Sequence, residues 1–174
     1  AMIMNLKHDL CAVPRQFQIC GEFLHAEPYG SGHINDTYCA LFDQAGTQVR
    51  YILQRINHSI FKNPVALMEN VQRVTAHLAG KLGETPDASR SVLTLVPARD
   101  DRAWHCDENG NYWRAYLFIE KARTYDAAQS PQQAFEAAKA FGQFQKLLAD
   151  LPAPRLHETI PDFHHTPKRF ARLE

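Results

Sequence analysis

Two kinds of hydrophobic pattern divide the chain into two parts. In the first part, short mixed runs rich in β-branched and aromatic residues predict five strands, at residues 22–28, 35–42, 49–56, 91–97 and 112–119. Short turns that contain Gly or Asn separate several of these runs, and strand, short turn, strand is typical of antiparallel hairpins. A polar loop is predicted at residues 85–90.

One helix interrupts the strands after the third. Asn63 is a favourable N-cap and Pro64 suits the first helical position. Four apolar residues follow at spacings of 4, 3 and 4, which places them on one helical face: Leu67, Val71, Val74 and Leu78. Gly80 and Gly83 are expected to close this helix.

After Ala122 the pattern becomes helical. A long helix is predicted from Ser130-Pro131 to about Leu151, with Phe141 and Leu148 on its apolar face. A further helix starts at Thr166-Pro167, close to the end of the sequence at residue 174. We therefore expect that the chain stops inside an element and is the front part of a longer protein. Strands in one half and helices in the other indicate an α+β fold.

Composition narrows the class of protein without naming a function. Lys plus Arg and Asp plus Glu are both 19, so no basic excess suggests nucleic acid or a membrane surface as a partner. The four cysteines, at positions 11, 20, 39 and 106, have no metal-site spacing, which favours reduced thiols in a cytoplasmic protein. We expect no signal peptide and no membrane-spanning segment.

The turn at residues 29–37, with the sequence YGSGHINDT, is the first candidate for chemistry. Its glycines allow the backbone to approach a ligand, and amides in such a turn can face phosphate oxygens. A plain hairpin turn is the alternative interpretation, because Gly is common in turns. A Walker A loop is excluded by its missing motif, and a Rossmann loop is disfavoured because a strand follows.

The wider order of segments carries a family resemblance. GSGHINDTY, then YILQRIN, then the helix PVALMENVQRVTAHL, then YLFIEKA resembles the aminoglycoside phosphotransferase/choline kinase superfamily, and within it the N-acetylhexosamine 1-kinases. The resemblance covers residues 16–174 and implies a protein-kinase-like fold that binds ATP and Mg²⁺. It implies an N-lobe and hinge at residues 1–122, with a five-stranded antiparallel sheet and one helix, and the truncated beginning of a helical C-lobe at residues 123–174.

The resemblance also implies a nucleotide site. The hinge would bind the adenine edge through the Glu120 carbonyl and the Ala122 amide. The glycine turn would cover the phosphates with six residues: Gly30, Ser31, Gly32, His33, Asn35 and Thr37.

One departure from the family concerns the cation that usually binds phosphate. Kinases of this fold carry a Lys on the third strand, paired with a Glu on the next helix, whereas here the matching strand position is Gln54. Glu69 faces away from the helix's inward stripe and Asn70 lies at its edge. We hypothesise a neutral Gln54–Asn70 amide pair, with Arg55 turning into the cleft as the rival interpretation.

A second departure concerns catalysis. The helical segment after Ala122 contains no H-x-D…N loop, so no catalytic residue is predicted, the Mg²⁺ ligands are expected beyond residue 174, and the chain by itself is expected to be inactive. In the sugar kinases an FH-x-T-x-x-R stretch follows the first C-lobe helix. His164 and Arg169 match it and are candidates for the sugar site, against an ordinary loop leading into a helix. A metal site at His164-His165 is not expected.

Three functional alternatives stay open. The first is the ATP-binding portion of a sugar 1-kinase, and the second is an aminoglycoside, choline or homoserine kinase relative. The third is a non-catalytic nucleotide-binding module. The helix face around Phe141 and Leu148 is expected to be exposed and to cause dimerisation or aggregation.

Overall fold

The computed structural model describes residues 8–83 and 88–172. Within these residues, six strands and four α-helices follow a 3-10 helix at Val13–Gln16, in an order that the sequence pattern predicts in outline. The strands are β1 (Glu22–Pro28), β2 (Asp36–Gln44), β3 (Thr47–Ile56), β4 (Leu95–Val96), β5 (His105–Cys106) and β6 (Tyr112–Leu117). The helices are α1 (Pro64–Leu82), α2 (Ala88–Ser91), α3 (Pro131–Leu148) and α4 (Thr166–Phe170).

The six strands form one antiparallel sheet with the order β1-β2-β3-β6-β4, and β5 pairs with β6. The α+β architecture of a kinase-like N-lobe is therefore confirmed, although the sheet has six strands rather than five. The sixth strand, β5, consists only of His105 and Cys106, which pair with Trp113 and Tyr112. Two residues are too few to produce an alternating pattern in the sequence.

The predicted strand at residues 91–97 is mostly wrong. Only Leu95 and Val96 pair with β6, and α2 ends at Ser91, where the strand was expected to begin. Pro97 follows directly and has no N–H to continue the ladder. Of the loop predicted at residues 85–90, positions 88–90 are helical and the rest lies outside the described residues.

The two faces of the sheet have different neighbours. One face is covered by the segment before β1, and its core includes Phe17, Leu53 and Trp113, all fully buried. On the other face Ile56 packs against Met68 of α1. Because side chains alternate along each strand, Ile52 and Gln54 lie on the same face as Ile56.

Helix α1 begins as predicted, since the Asn63 side chain accepts a hydrogen bond from the Ala66 amide, 3.0 Å away. The Ser130 side chain caps α3 in the same way. No buried residue lies on α3, so its apolar side faces solvent. Among the described residues, no helix has the length and apolar character needed to cross a membrane.

Candidate functional site: a cleft under the glycine turn

The turn between β1 and β2 folds over one end of the sheet. Its ends are joined by a hydrogen bond from the Tyr29 amide to the Thr37 carbonyl, 2.9 Å long. Gly30 has a φ of 82°, which an L side chain rarely adopts. Gly32 does not have a positive φ, and a Cβ there would meet no atom within 4 Å. The backbone at Gly32 therefore does not require glycine, and the space beside it is open.

Beneath the turn lies a cleft of about 280 Å³. Aromatic and aliphatic side chains form most of its walls, which suits a flat ring. Its lining comes from the turn, the sheet and the segment after β6, and consists of Tyr29, Gly30, Gly32, Thr37, Ile52, Tyr116, Phe118, Ile119 and Ala122. Four of these, Gly30, Gly32, Thr37 and Ala122, were among the predicted nucleotide-binding residues.

Three predicted residues of the turn lie outside this lining. The Asn35 side chain accepts a hydrogen bond from the Asn57 amide at 2.9 Å and so anchors the turn to the residues after β3. Ser31 donates to Asp126, 3.2 Å away. His33 is exposed to solvent. Nucleotide contact by these three residues stays a prediction.

The segment after β6 bends sharply at Lys121, which has a φ of 59°. The Glu120 carboxylate pairs with Arg50, and that contact lowers the pKa of Glu120. The Glu120 carbonyl accepts a hydrogen bond from Arg90. The predicted adenine acceptor therefore already has a partner within the protein, whereas Ala122 lines the cleft.

Gln54 has different partners from those predicted. Its Nε2 donates to Thr37 Oγ1 at 2.8 Å, and its Oε1 accepts two hydrogen bonds from Arg114, at 2.9 Å from Nε and 2.6 Å from Nη2. Asn70 instead binds the backbone of His157 through both ends of its amide, at 2.8 and 2.9 Å. The prediction of a Gln54–Asn70 amide pair is therefore wrong.

Arg55 does not turn into the cleft. It pairs with Asp36 at 2.5 Å on the opposite face of the sheet, where His8 also contacts Asp36 at 2.9 Å. Alternation along β3 accounts for this, since Gln54 occupies the cleft face. The rival interpretation of Arg55 is wrong for the same reason.

The residues that sequence reasoning missed are those of β6 and the middle of β3. Ile52 and Tyr116 are register partners and form the cleft wall beside Gln54 and Arg114, which are also register partners. The sequence feature that could have pointed to this part of the cleft is Arg114 itself, a charged residue inside the apolar run YWRAYLFI. Charged residues are rarely buried unless they are paired.

The C-terminal candidates lie together but apart from the cleft lining. Arg169 stacks over the Phe163 ring, with Cζ 5.1 Å from its centroid, and His164 meets the same ring edge-on at 4.8 Å. Among the described residues, no hydrogen bond or ion pair connects either one to the glycine turn. A role at a sugar site stays a prediction.

Carboxylates do not line the cleft in the part of the chain that the structure describes. The same residues contain no group of three or more His, Cys, Asp or Glu that could hold a metal ion. His105-Cys106-Asp107 has the order H-x-D, but Asp107 accepts hydrogen bonds from Asn109, Asn111 and Trp113 within a hairpin turn. These residues therefore do not form a Mg²⁺ site, which needs carboxylate oxygens beside the phosphates.

The antiparallel sheet has one helix on its cleft face, a glycine turn over that cleft and a helical segment after it. This arrangement is that of a kinase-like N-lobe. Residues 25–174 match the model of the phosphotransferase enzyme family, APH. The chain belongs to that family, whose members generally use ATP and Mg²⁺ and carry out kinase-type transfer to small molecules.

Proposed function

We propose that the chain is the ATP-binding portion of a small-molecule kinase, with a sugar of the N-acetylhexosamine type as the acceptor and transfer to its anomeric hydroxyl. The observation that carries the nucleotide part is the apolar cleft directly beneath the glycine turn. The choice of acceptor rests only on the resemblance of the chain's segments to the N-acetylhexosamine 1-kinases. Amino-alcohol, homoserine and aminoglycoside acceptors are the alternatives within the family.

The roles in this proposal follow the geometry. Ile52, Tyr116 and Phe118 would sandwich the adenine ring, and the Ala122 amide would meet its edge. The turn would hold the phosphates through its backbone amides, as such concave turns do. ATP supplies the phosphoryl group when bound.

The proposed organisation has an N-lobe and hinge at residues 1–122 and helical C-lobe residues from 123. We place the protein in the cytoplasm, because its four cysteines are unpaired, which is typical of a reducing compartment.

Gly32→Ala tests whether the turn covers a ligand or is only a turn. The substitution fits the backbone without a clash, so the fold should be unchanged or stabilised by up to about 1 kcal/mol. A methyl group between the turn and the phosphates should nevertheless weaken ATP binding by roughly tenfold, with adenosine affected little. Calorimetric titration with both ligands measures this.

Gly80→Ala is the matched control, because Gly80 lies in α1 with open space around it. It should stabilise the helix by about 1 kcal/mol and leave ATP affinity unchanged. Equal ATP affinity in wild type and Gly32→Ala would mean that the turn is a plain hairpin that does not cover the phosphates.

An ATP-consumption screen of the full-length protein over N-acetylhexosamines, choline, homoserine and aminoglycosides tests which acceptor is used. The absence of ATP consumption with all of them would contradict the proposed kinase activity.

A further inference from the structure

Arg114 occupies an unusual place for a cation. It lies on β6 directly opposite Gln54 of β3, on the face of the sheet where Ile52 and Tyr116 line the cleft. The side chain is partly buried. Its third nitrogen, Nη1, contacts Met68 Sδ of α1 at 3.9 Å, so the guanidinium lies between the sheet and that helix.

The hydrogen bonds of Arg114 are made to a neutral group. Nε and Nη2 both donate to Gln54 Oε1, at 2.9 and 2.6 Å. Gln54 in turn donates from Nε2 to Thr37, which lines the cleft. The chain of contacts from Arg114 through Gln54 therefore leads to the base of the glycine turn.

The charge of Arg114 is not balanced within the described part of the chain. Three other arginines have a carboxylate partner: Arg50 pairs with Glu120, Arg55 with Asp36 and Arg102 with Asp100. The arginines that donate to backbone carbonyls instead include Arg73, Arg90 and Arg99. Among residues 8–83 and 88–172, no carboxylate pairs with Arg114, and burial lowers the pKa of its guanidinium. Even a partly buried charge is unfavourable without a counter-ion, and one amide oxygen does not neutralise it.

An anion at this end of the cleft would remove that cost. A guanidinium offers five N–H donors in a planar fork, which matches phosphate oxygens. The strand position that usually carries the phosphate-binding Lys holds Gln54 instead, and Gln54 accepts the hydrogen bonds of Arg114. In this protein the cation therefore lies on β6, the strand beside β3, and on the same face of the sheet as Gln54.

We propose that Arg114 supplies the cation that binds the nucleotide phosphates, and that Gln54 is the positioning residue that aims it. This inference rests on the proposed nucleotide-binding function and deepens it. It assigns the phosphate contact to a residue on β6 rather than to the third strand.

The test compares ATP, ADP and adenosine binding to the full-length wild type, Arg114→Gln and Arg114→Lys. Arg114→Gln should weaken ATP binding by about tenfold or more and adenosine binding by less than about twofold, because only the phosphates lose a charged donor. Arg114→Lys should recover part of the loss. ATP binding should also depend less on salt in Arg114→Gln than in the wild type.

Arg102→Gln is the control for removing a guanidinium, since Arg102 lies outside the cleft and stacks on Trp104. It should leave all three affinities unchanged. Gln54→Glu tests the inference even if Arg114→Gln unfolds the protein, because it keeps Arg114 and gives it a carboxylate of the same shape as the Gln54 amide. We expect a higher melting temperature and at least about tenfold weaker ATP binding.

Three outcomes are decisive. ATP affinity that is unchanged in both Arg114→Gln and Gln54→Glu overturns the inference while leaving the proposed function intact. The same result with a large loss of stability in Arg114→Gln would also overturn it, and would assign Arg114 a structural role through its bonds to Gln54. Wild type that binds neither ATP nor adenosine would overturn the proposed function, and the inference with it.

Discussion

Asp107 organises the turn between β5 and β6. Its carboxylate accepts hydrogen bonds from the amides of Asn109 and Asn111, both at 2.9 Å, and from Trp113 Nε1 at 2.8 Å. Trp113 is fully buried in the core of the sheet. Asp107 therefore connects a surface turn to the largest core side chain, since it satisfies an indole N–H that would otherwise lack a partner.

Asp107→Ala should lower the free energy of unfolding by about 1–3 kcal/mol, because it leaves the indole N–H of the buried Trp113 without its acceptor. Chemical denaturation measures the loss. Glu108→Ala is the matched control on the neighbouring exposed residue and should change stability by no more than about 0.5 kcal/mol. Equal stabilities of the two variants would contradict the role of Asp107.

The same group predicts a dependence on pH. Burial on its own would raise the pKa of Asp107, but the hydrogen bonds from Trp113 and Asn111 outweigh it, and the pKa lies below its usual value. The carboxylate therefore stabilises the fold above the unfolded pKa of about 3.9, and this contribution is lost as the pH falls through the lower folded value. Chemical denaturation at pH 5 and pH 2 should show that Asp107→Ala loses less stability over this range than the wild type, because it lacks this carboxylate.

At the level of single residues, the sequence predicted what depends on local chemistry. The glycine turn could be found because its residue types are a local signal, whereas Ala122 was named only through the family resemblance. The partners of Gln54 could not, since they depend on which strand lies next to β3 and in which register. Arg114 is 60 positions away from Gln54 along the chain, and only the pairing of β3 with β6 brings them together.

At the level of elements, long periodic segments were predicted well and short ones poorly. Strands β1, β2 and β3 and helices α1 and α3 have enough residues for their period to be visible. The error at residues 91–97 has a different cause. An apolar run of that length is compatible with a strand, and only the pairing with Tyr116 and Ala115 decides that two of its residues join the sheet.

One polar side of helix α1 binds the segment that follows α3, at residues 150–157. Arg73 donates to the carbonyls of Pro152 and Pro154, and Lys81 pairs with Asp150. Asn70 makes its two bonds to the His157 backbone at the start of the same side. Asn70 was expected to face Gln54, but it helps to attach the irregular segment after α3 to α1.

Asn70→Ala should remove two hydrogen bonds and destabilise the attachment of residues 150–158 by about 1–2 kcal/mol. Hydrogen exchange at the His157 amide should become faster by roughly tenfold, while the amides of β3 should keep their protection. Gln54→Ala should leave the exchange of His157 unchanged, because the two amides do not meet.

Glu69→Gln is the matched control for Asn70→Ala. Glu69 also contacts His157, but through an exposed contact between the two side chains, and contacts of this kind at the surface are worth about 0–1 kcal/mol. Its effect on exchange at His157 should be the smaller of the two. A larger effect for Glu69→Gln would mean that the side-chain contact, not the amide of Asn70, attaches this segment.

Considered as a whole, the molecule has a well-packed sheet and a helical part that is largely open to solvent. The core clusters consist of residues from the sheet, α1 and the segment before β1, together with Ala98 and Ala103 between β4 and β5. The predicted exposure of the α3 face is confirmed for Phe141, which is 69% exposed, and Phe144 beside it is 43% exposed, whereas Leu148 is half-buried. Exposed apolar faces of this kind promote association in aqueous solution.

We propose that the 174-residue chain self-associates through this α3 face, since Phe141 and Phe144 lie one turn apart on it. Sedimentation velocity over a wide concentration range should show a dimer or larger species. Phe141→Glu should shift the chain to monomer, because it places a charge in the contact and removes apolar area. Gln143→Glu adds the same charge on an exposed neighbouring residue of α3 and should leave association unchanged. A monomeric wild type at high concentration would contradict the proposal, and equal dissociation in both variants would mean that net charge rather than the Phe141 face controls association.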